Sequence, residues 1–127
     1  MNIFQWLVWA GVGIFLTVAV AQDPAPTNVR GLMTASEAYE KAEKEMGEAY
    51  SKLMIAVNSM GKERLKKAQS SWVQYRDAES AFNCHHLAGG PYERMEYYAQ
   101  LRKETDRRTR DLKRTYEWMR QIAIKEQ

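Results

Sequence analysis

Cysteine is almost absent: Cys84 stands alone in 127 residues. No disulfide can form within the chain, so the fold must be held by packing, without the staple on which small domains often rely. The thiol must be buried, modified or engaged with another chain. Proline is scarce as well, at Pro24, Pro26 and Pro91. Residues 1–22 carry no charged side chain. Beyond that segment no apolar–polar alternation is sustained, which removes the strand signal. No HExxH, GxSxG, P-loop or dinucleotide fingerprint occurs, so the common hydrolase, nucleotide and redox chemistries have no foothold. Ser70, Ser71, His85 and His86 show no spacing of nucleophile and base. Asp77 and Glu79, two apart on a helix, point in different directions. The residues predict no enzyme and no cofactor.

What is present begins with Leu7 to Ala21, an apolar run that ends in Ala19-Val20-Ala21, the small-x-small form of a signal-peptidase site. Residues 1–21 are predicted as a cleaved signal peptide. The alternative is an uncleaved anchor, since the run is near the ~20 residues that span a bilayer. Either way the domain is exported, to the periplasm or cell envelope, and a membrane enters only through residues 1–21 if they stay. Residues 22–33, with Pro24 and Pro26, read as a linker. Residues 34–125 read as an all-α domain, an antiparallel bundle of three long helices.

Helix one is predicted from Thr34, where Thr34-x-x-Glu37 has the form of a capping box. Its seam is Tyr39, Ala42, Met46, Ala49, Leu53, Ala56 and Met60, in steps of three and four. Gly61 suits a left-handed cap at its end. Helix two, about Lys62 to Phe82, follows too closely for anything but an antiparallel neighbour. Its apolar face is Leu65, Ala68, Trp72, Tyr75, Glu79 and Phe82. Gly89-Gly90-Pro91 punctuates the chain. Helix three runs from about Tyr92 towards Ala123, on the stripe Met95, Tyr98, Leu101, Thr105, Arg108, Leu112, Thr115, Met119 and Ile122. Trp72, Trp118, Tyr75, Phe82 and the methionines are expected to supply much of the core.

A charge on a core-facing stripe is costly unless paired. Trp72, Tyr75, Arg76, Asp77 and Glu79 are therefore expected to form a polar network that sets helix register, with Arg108 a partner for Glu79 or Asp77. The competing reading sends some of these residues to a partner protein. Candidate partner contacts are Tyr92 and Arg94 beside Gly89 and Gly90, because Tyr and Arg favour interfaces. Cys84-His85-His86 is the one metal-like cluster, but adjacent ligands rarely converge on one ion, so no metal is expected. The basic helix three is interleaved with acids, which suits a solvated face. Nucleic acid is not expected; anionic lipid or wall polymer is the weaker option.

The run Ala49-Tyr50-x-x-Leu53-Met54, then Leu65-x-x-Ala68-Gln69-x-x-Trp72-x-x-Tyr75-Arg76-Asp77-Ala78-Glu79, then Phe82 and Gly89-Gly90, resembles the LprI-type lysozyme inhibitor family. Thr105 to Leu112 looks like that family's closing T-x-x-R-T-x-x-L helix. The resemblance implies a small exported helical domain of bacteria that binds a protein, with inhibition of lysozyme as the activity. Family members usually carry Cys after the RDAE element, where this chain has Ser80. Lysozymes are generally basic, so the acidic first helix would offer Glu37, Glu40, Glu43 and Glu48 as encounter residues. The alternative function is an envelope structural or assembly module that binds another protein through its helices.

Overall fold

Nothing between Pro26 and Pro91 forbids a helix, and the chain uses that freedom early. The computed structural model describes residues 27–87 and 89–125. The predicted signal or anchor segment, and the part of the linker before Thr27, lie outside them. Helix α1 spans Thr27–Ala56, so it starts well before Thr34. The Thr34 hydroxyl does not cap; it donates to the Arg30 carbonyl at 3.0 Å from inside the helix. Residues 27–33 are thus its first turns. Gly31 within them leaves room for the Met95 side chain, since a Cβ there would stand 2.6 Å from its Sδ.

Helix α1 ends at Ala56 because Asn58 captures the chain. Asn58 is extended, with φ −71° and ψ 177°, and its side chain accepts from the Gly61 N–H at 2.8 Å. This N-cap opens α2, Ser59–Cys84. Gly61 therefore sits in the first turn of α2 and is not a left-handed cap of α1. A 3₁₀ turn, His85–Leu87, follows. Gly89 and Gly90 then take φ of 87° and 95°, a region costly for other residues. Pro91 opens α3, Pro91–Lys125, where its missing N–H loses nothing.

The three helices run up, down and up. Tyr39 lies 5.9 Å from Tyr98, ring to ring, in the first half of both α1 and α3, and Leu53 and Tyr116 share the core cluster in their second halves. These two helices are therefore parallel, and they form the closest pair of the bundle. Helix α2 is antiparallel to both: Gln69 meets Met46 and Arg108, while Arg76 reaches Glu43 and Thr105. It lies mainly on α3 and only sparsely on α1. The apolar centre is Met46, Ala49, Leu53 and Leu112, with Leu65, Trp72, Tyr116 and Met119 packed against it. The buried stripe of α1 matches the predicted seam from Ala42 to Leu53; Ala56 and Met60 fall outside it in solvent.

The face of α2 is turned from the expected one. Arg76, Ser80 and Cys84 are buried, whereas Tyr75 is 50 % and Phe82 65 % exposed. Leu65 and Trp72 keep their place, but Ala68 is exposed. On α3, Leu101, Thr105 and Leu112 are buried as expected; Thr109 is also buried and Thr115 is exposed. Trp118, expected in the core, is 61 % exposed.

Candidate functional site

Arg76 is where the three helices are tied. Its guanidinium is buried, with the side chain 7 % exposed, while those of Glu43 and Asp77 are 37 % and 48 % exposed. Nη1 donates to Glu43 on α1 and lies 3.5 Å from Thr105 Oγ1 on α3, and Nε donates to Asp77 Oδ1 at 2.9 Å. The group also stacks 5.1 Å from the Trp72 ring and 5.6 Å from Tyr39. One cation therefore leaves water while its carboxylates stay at the water's edge. Burial works against the charge, but the hydrogen bond that Arg76 donates to Asp77 and the charges of Tyr39 and Glu43 outweigh it and raise the Arg76 pKa. The Tyr39 hydroxyl is pushed up to about 12, chiefly by burial, with Arg76 opposing and Glu43 adding to the rise.

Arg108 also lies against Trp72, 5.8 Å from its ring, and donates to Gln69 Oε1 at 3.0 Å. It does not pair with Asp77, which is taken by Arg76, or with Glu79. The turned face of α2 is the reason. Burial lowers the Arg108 pKa against the pull of Asp111. Glu79 is half-buried and has no ion-pair partner among the described residues. Below Arg76, the Ser80 hydroxyl is buried without a hydrogen-bond partner. Cys84 donates to the Ser80 carbonyl at 3.0 Å, and burial, with Glu96 and Glu93 nearby, pushes its thiol pKa up.

The structure thus draws Trp72, Arg76, Asp77 and Arg108 into one network and leaves Tyr75 and Glu79 at its margin. Sequence reasoning missed Glu43 as the cross-helix partner and Ser80 as a core residue. The continuous stripe Leu65, Gln69, Trp72, Arg76, Ser80, Cys84 carried that information, but its polar members concealed it.

The predicted partner residues do not converge on one site. Glu37, Glu40 and Glu48 are exposed along α1, whereas Glu43 is committed to Arg76. Gly89, Gly90, Tyr92 and Arg94 are exposed at the turn into α3. Cys84 points inward while His85 and His86 are exposed, so the three diverge. Among the described residues no cluster of three His, Cys, Asp or Glu side chains is close enough to hold a metal ion. A groove of about 620 Å³ between α1 and α3 is lined by Glu45, Glu48, Lys52, Lys113, Tyr116 and Glu117. It has no nucleophile beside a base. The geometry suits binding through exposed side chains on a braced scaffold.

Among known families, the one described as Lysozyme inhibitor LprI matches residues 20–112. Neither the curated proteins nor the solved structures compared with the chain gave a match. The matched span takes in all of α1 and α2 and follows α3 through the polar centre to Leu112. It therefore contains the whole Arg76 network, every helix that meets at it and most of the chain: the protein belongs to the LprI lysozyme inhibitor family.

Proposed function

We propose that the chain is an exported, non-catalytic domain that inhibits lysozyme, or a related wall-cleaving enzyme, by stoichiometric binding. The family match supports the activity, and the arrangement of α2 supports the surface. Arg76 is enclosed between three helices, which makes its network a brace. Recognition then falls to the side chains that the brace turns outward. Tyr75 and Phe82 stand in solvent on α2, with Glu79 unpaired on the same helix. That pairing of exposed aromatics with a free carboxylate is the observation that carries the reading. Aromatic anchors rimmed by negative charge suit a basic protein. Glu37 and Glu40 on α1 extend the negative charge along the same half of the bundle.

The test is a cell-wall lysis assay with basic animal lysozyme and rising amounts of the purified protein. The expected result is inhibition that saturates at a fixed molar ratio. The Tyr75→Ala and Phe82→Ala variants should each weaken it by about 2 kcal/mol, roughly thirtyfold. Inhibition unchanged in both variants moves the surface elsewhere; no inhibition at excess removes the reading.

A second reading, an envelope assembly module, draws support from Ile55, Met60 and Trp118, which are 83 %, 61 % and 61 % exposed. A stable oligomer at micromolar concentration, lost in Trp118→Ser, would favour it.

A further inference from the structure

Between Arg102 and Arg114 every exposed side chain is a cation: Arg102, Lys103, Arg107, Arg110, Lys113 and Arg114. The carboxylates that alternate with them in sequence are set back. Glu104 is buried, and Asp106 and Asp111 are half-buried. An interleaved sequence thus becomes a basic outer surface. Lys103, Arg107, Arg110 and Arg114 follow one another in helical steps of four, three and four, which places neighbours ~5–6 Å apart over ~16 Å of helix. Arg107 is tied to Glu104 at 3.1 Å and Arg114 to Asp111 at 2.6 Å. Lys103 and Arg110 have no ion-pair partner among the described residues. Like charges at these spacings oppose the helix that carries them. The positive surplus of the molecule is concentrated here, since α3 holds ten Lys and Arg against six Asp and Glu while the whole chain is at +3.

We infer that this ridge of α3 binds an extended phosphate-bearing polyanion laid along the helix. A single anion would meet one or two of the cations; a polymer that repeats its charge at short intervals meets the row. Arginine forks match phosphate oxygens in pairs, and binding would relieve the repulsion within the row. A lipid surface fits less well, because the ridge offers no exposed apolar side chain to enter the bilayer boundary. The ridge is opposite in sign to the surface proposed for lysozyme and does not depend on it.

The experiment titrates end-labelled inorganic polyphosphate with the full chain and follows fluorescence anisotropy over a series of salt concentrations. Binding should weaken with salt by about 0.7 in log–log slope for each phosphate contact. Lys103→Gln with Arg110→Gln should weaken binding roughly tenfold and make the slope shallower by about one and a half. Lys103→Arg with Arg110→Lys should keep the affinity. A charge-matched pair on α2, Lys62→Gln with Lys67→Gln, should change affinity by no more than about twofold. Circular dichroism shows whether each variant keeps its helices. Equal losses in the α2 and α3 pairs would reduce the effect to net charge and overturn the proposal. So would the absence of polyphosphate binding at about 50 mM salt, or binding confined to phosphatidylglycerol vesicles.

Discussion

Arg76 is buried, yet both of its carboxylates can reach water, and that asymmetry sets what its loss would do. Removing one partner of a fully enclosed pair costs about 3–5 kcal/mol, because the other is stranded. Here Glu43 and Asp77 would be rehydrated, so Arg76→Leu should cost nearer 2 kcal/mol in urea unfolding. Arg76→Lys should recover little of it, since an ammonium cannot serve Glu43, Asp77 and Thr105 as the fork does. Ser80 works in the opposite direction. Its hydroxyl is buried and unpartnered, so Ser80→Ala should raise stability by about 1 kcal/mol in the same measurement. Tyr39 adds a pH dependence. Its pKa rises on folding from about 10 to about 12, so between those values the unfolded chain loses its proton first. Its contribution is complete below pH ~10 and fades as pH climbs towards 12. Tyr39→Phe should flatten the fall of the urea midpoint across that window. At this scale the Trp72-to-Glu79 motif was legible in the sequence, but not which member would be enclosed. Arg76 is tolerated inside only because Glu43 and Thr105 arrive from other helices, and single-helix periodicity carries no information about them.

The boundaries of the helices rest on local chemistry, and most of that chemistry can be read directly. Gly89-Gly90-Pro91 breaks and restarts the chain as expected, because only glycine accepts two successive positive φ angles cheaply. Gly90→Ala should accordingly destabilise by about 1–2 kcal/mol. Asn58 was harder to place, since Gly61 also suited a helix end. The structure gives the decision to the Asn58 side chain, and Asn58→Ala should cost about 1 kcal/mol in thermal or urea unfolding. The turned face of α2 is the larger departure. Two stripes at helical spacing compete on that helix: the more apolar one through Tyr75 and Phe82, and a mixed one through Arg76, Ser80 and Cys84. Apolarity favours the first, cross-helix satisfaction favours the second, and the second wins. The aromatics left outside are what make α2 a candidate surface.

For the molecule as a whole, the brace joins all three helices at one point, and Trp72 sits at that point, its ring 5.1 Å and 5.8 Å from two guanidinium groups. Unfolding should therefore be a single transition, with tryptophan fluorescence and far-ultraviolet circular dichroism giving the same midpoint. With Trp6, Trp9 and Trp118 replaced by Phe, so that Trp72 alone reports, an earlier fluorescence midpoint would mean that α2 leaves before the α1–α3 pair. Net charge, read from composition, describes this molecule poorly. Its surplus is gathered on α3 while carboxylates line α1 and exposed aromatics stand on α2, so different surfaces can address unlike partners.

An odd number of helices places Thr27 and Lys125, the outer ends of α1 and α3, at opposite ends of the bundle. A load applied between them enters α1 at Thr27 and leaves α3 at Lys125, along two parallel helices packed side by side. Such a pull slides one helix past the other. The contacts along the seam then resist together, instead of parting one at a time as they would in a hairpin opened from its tip.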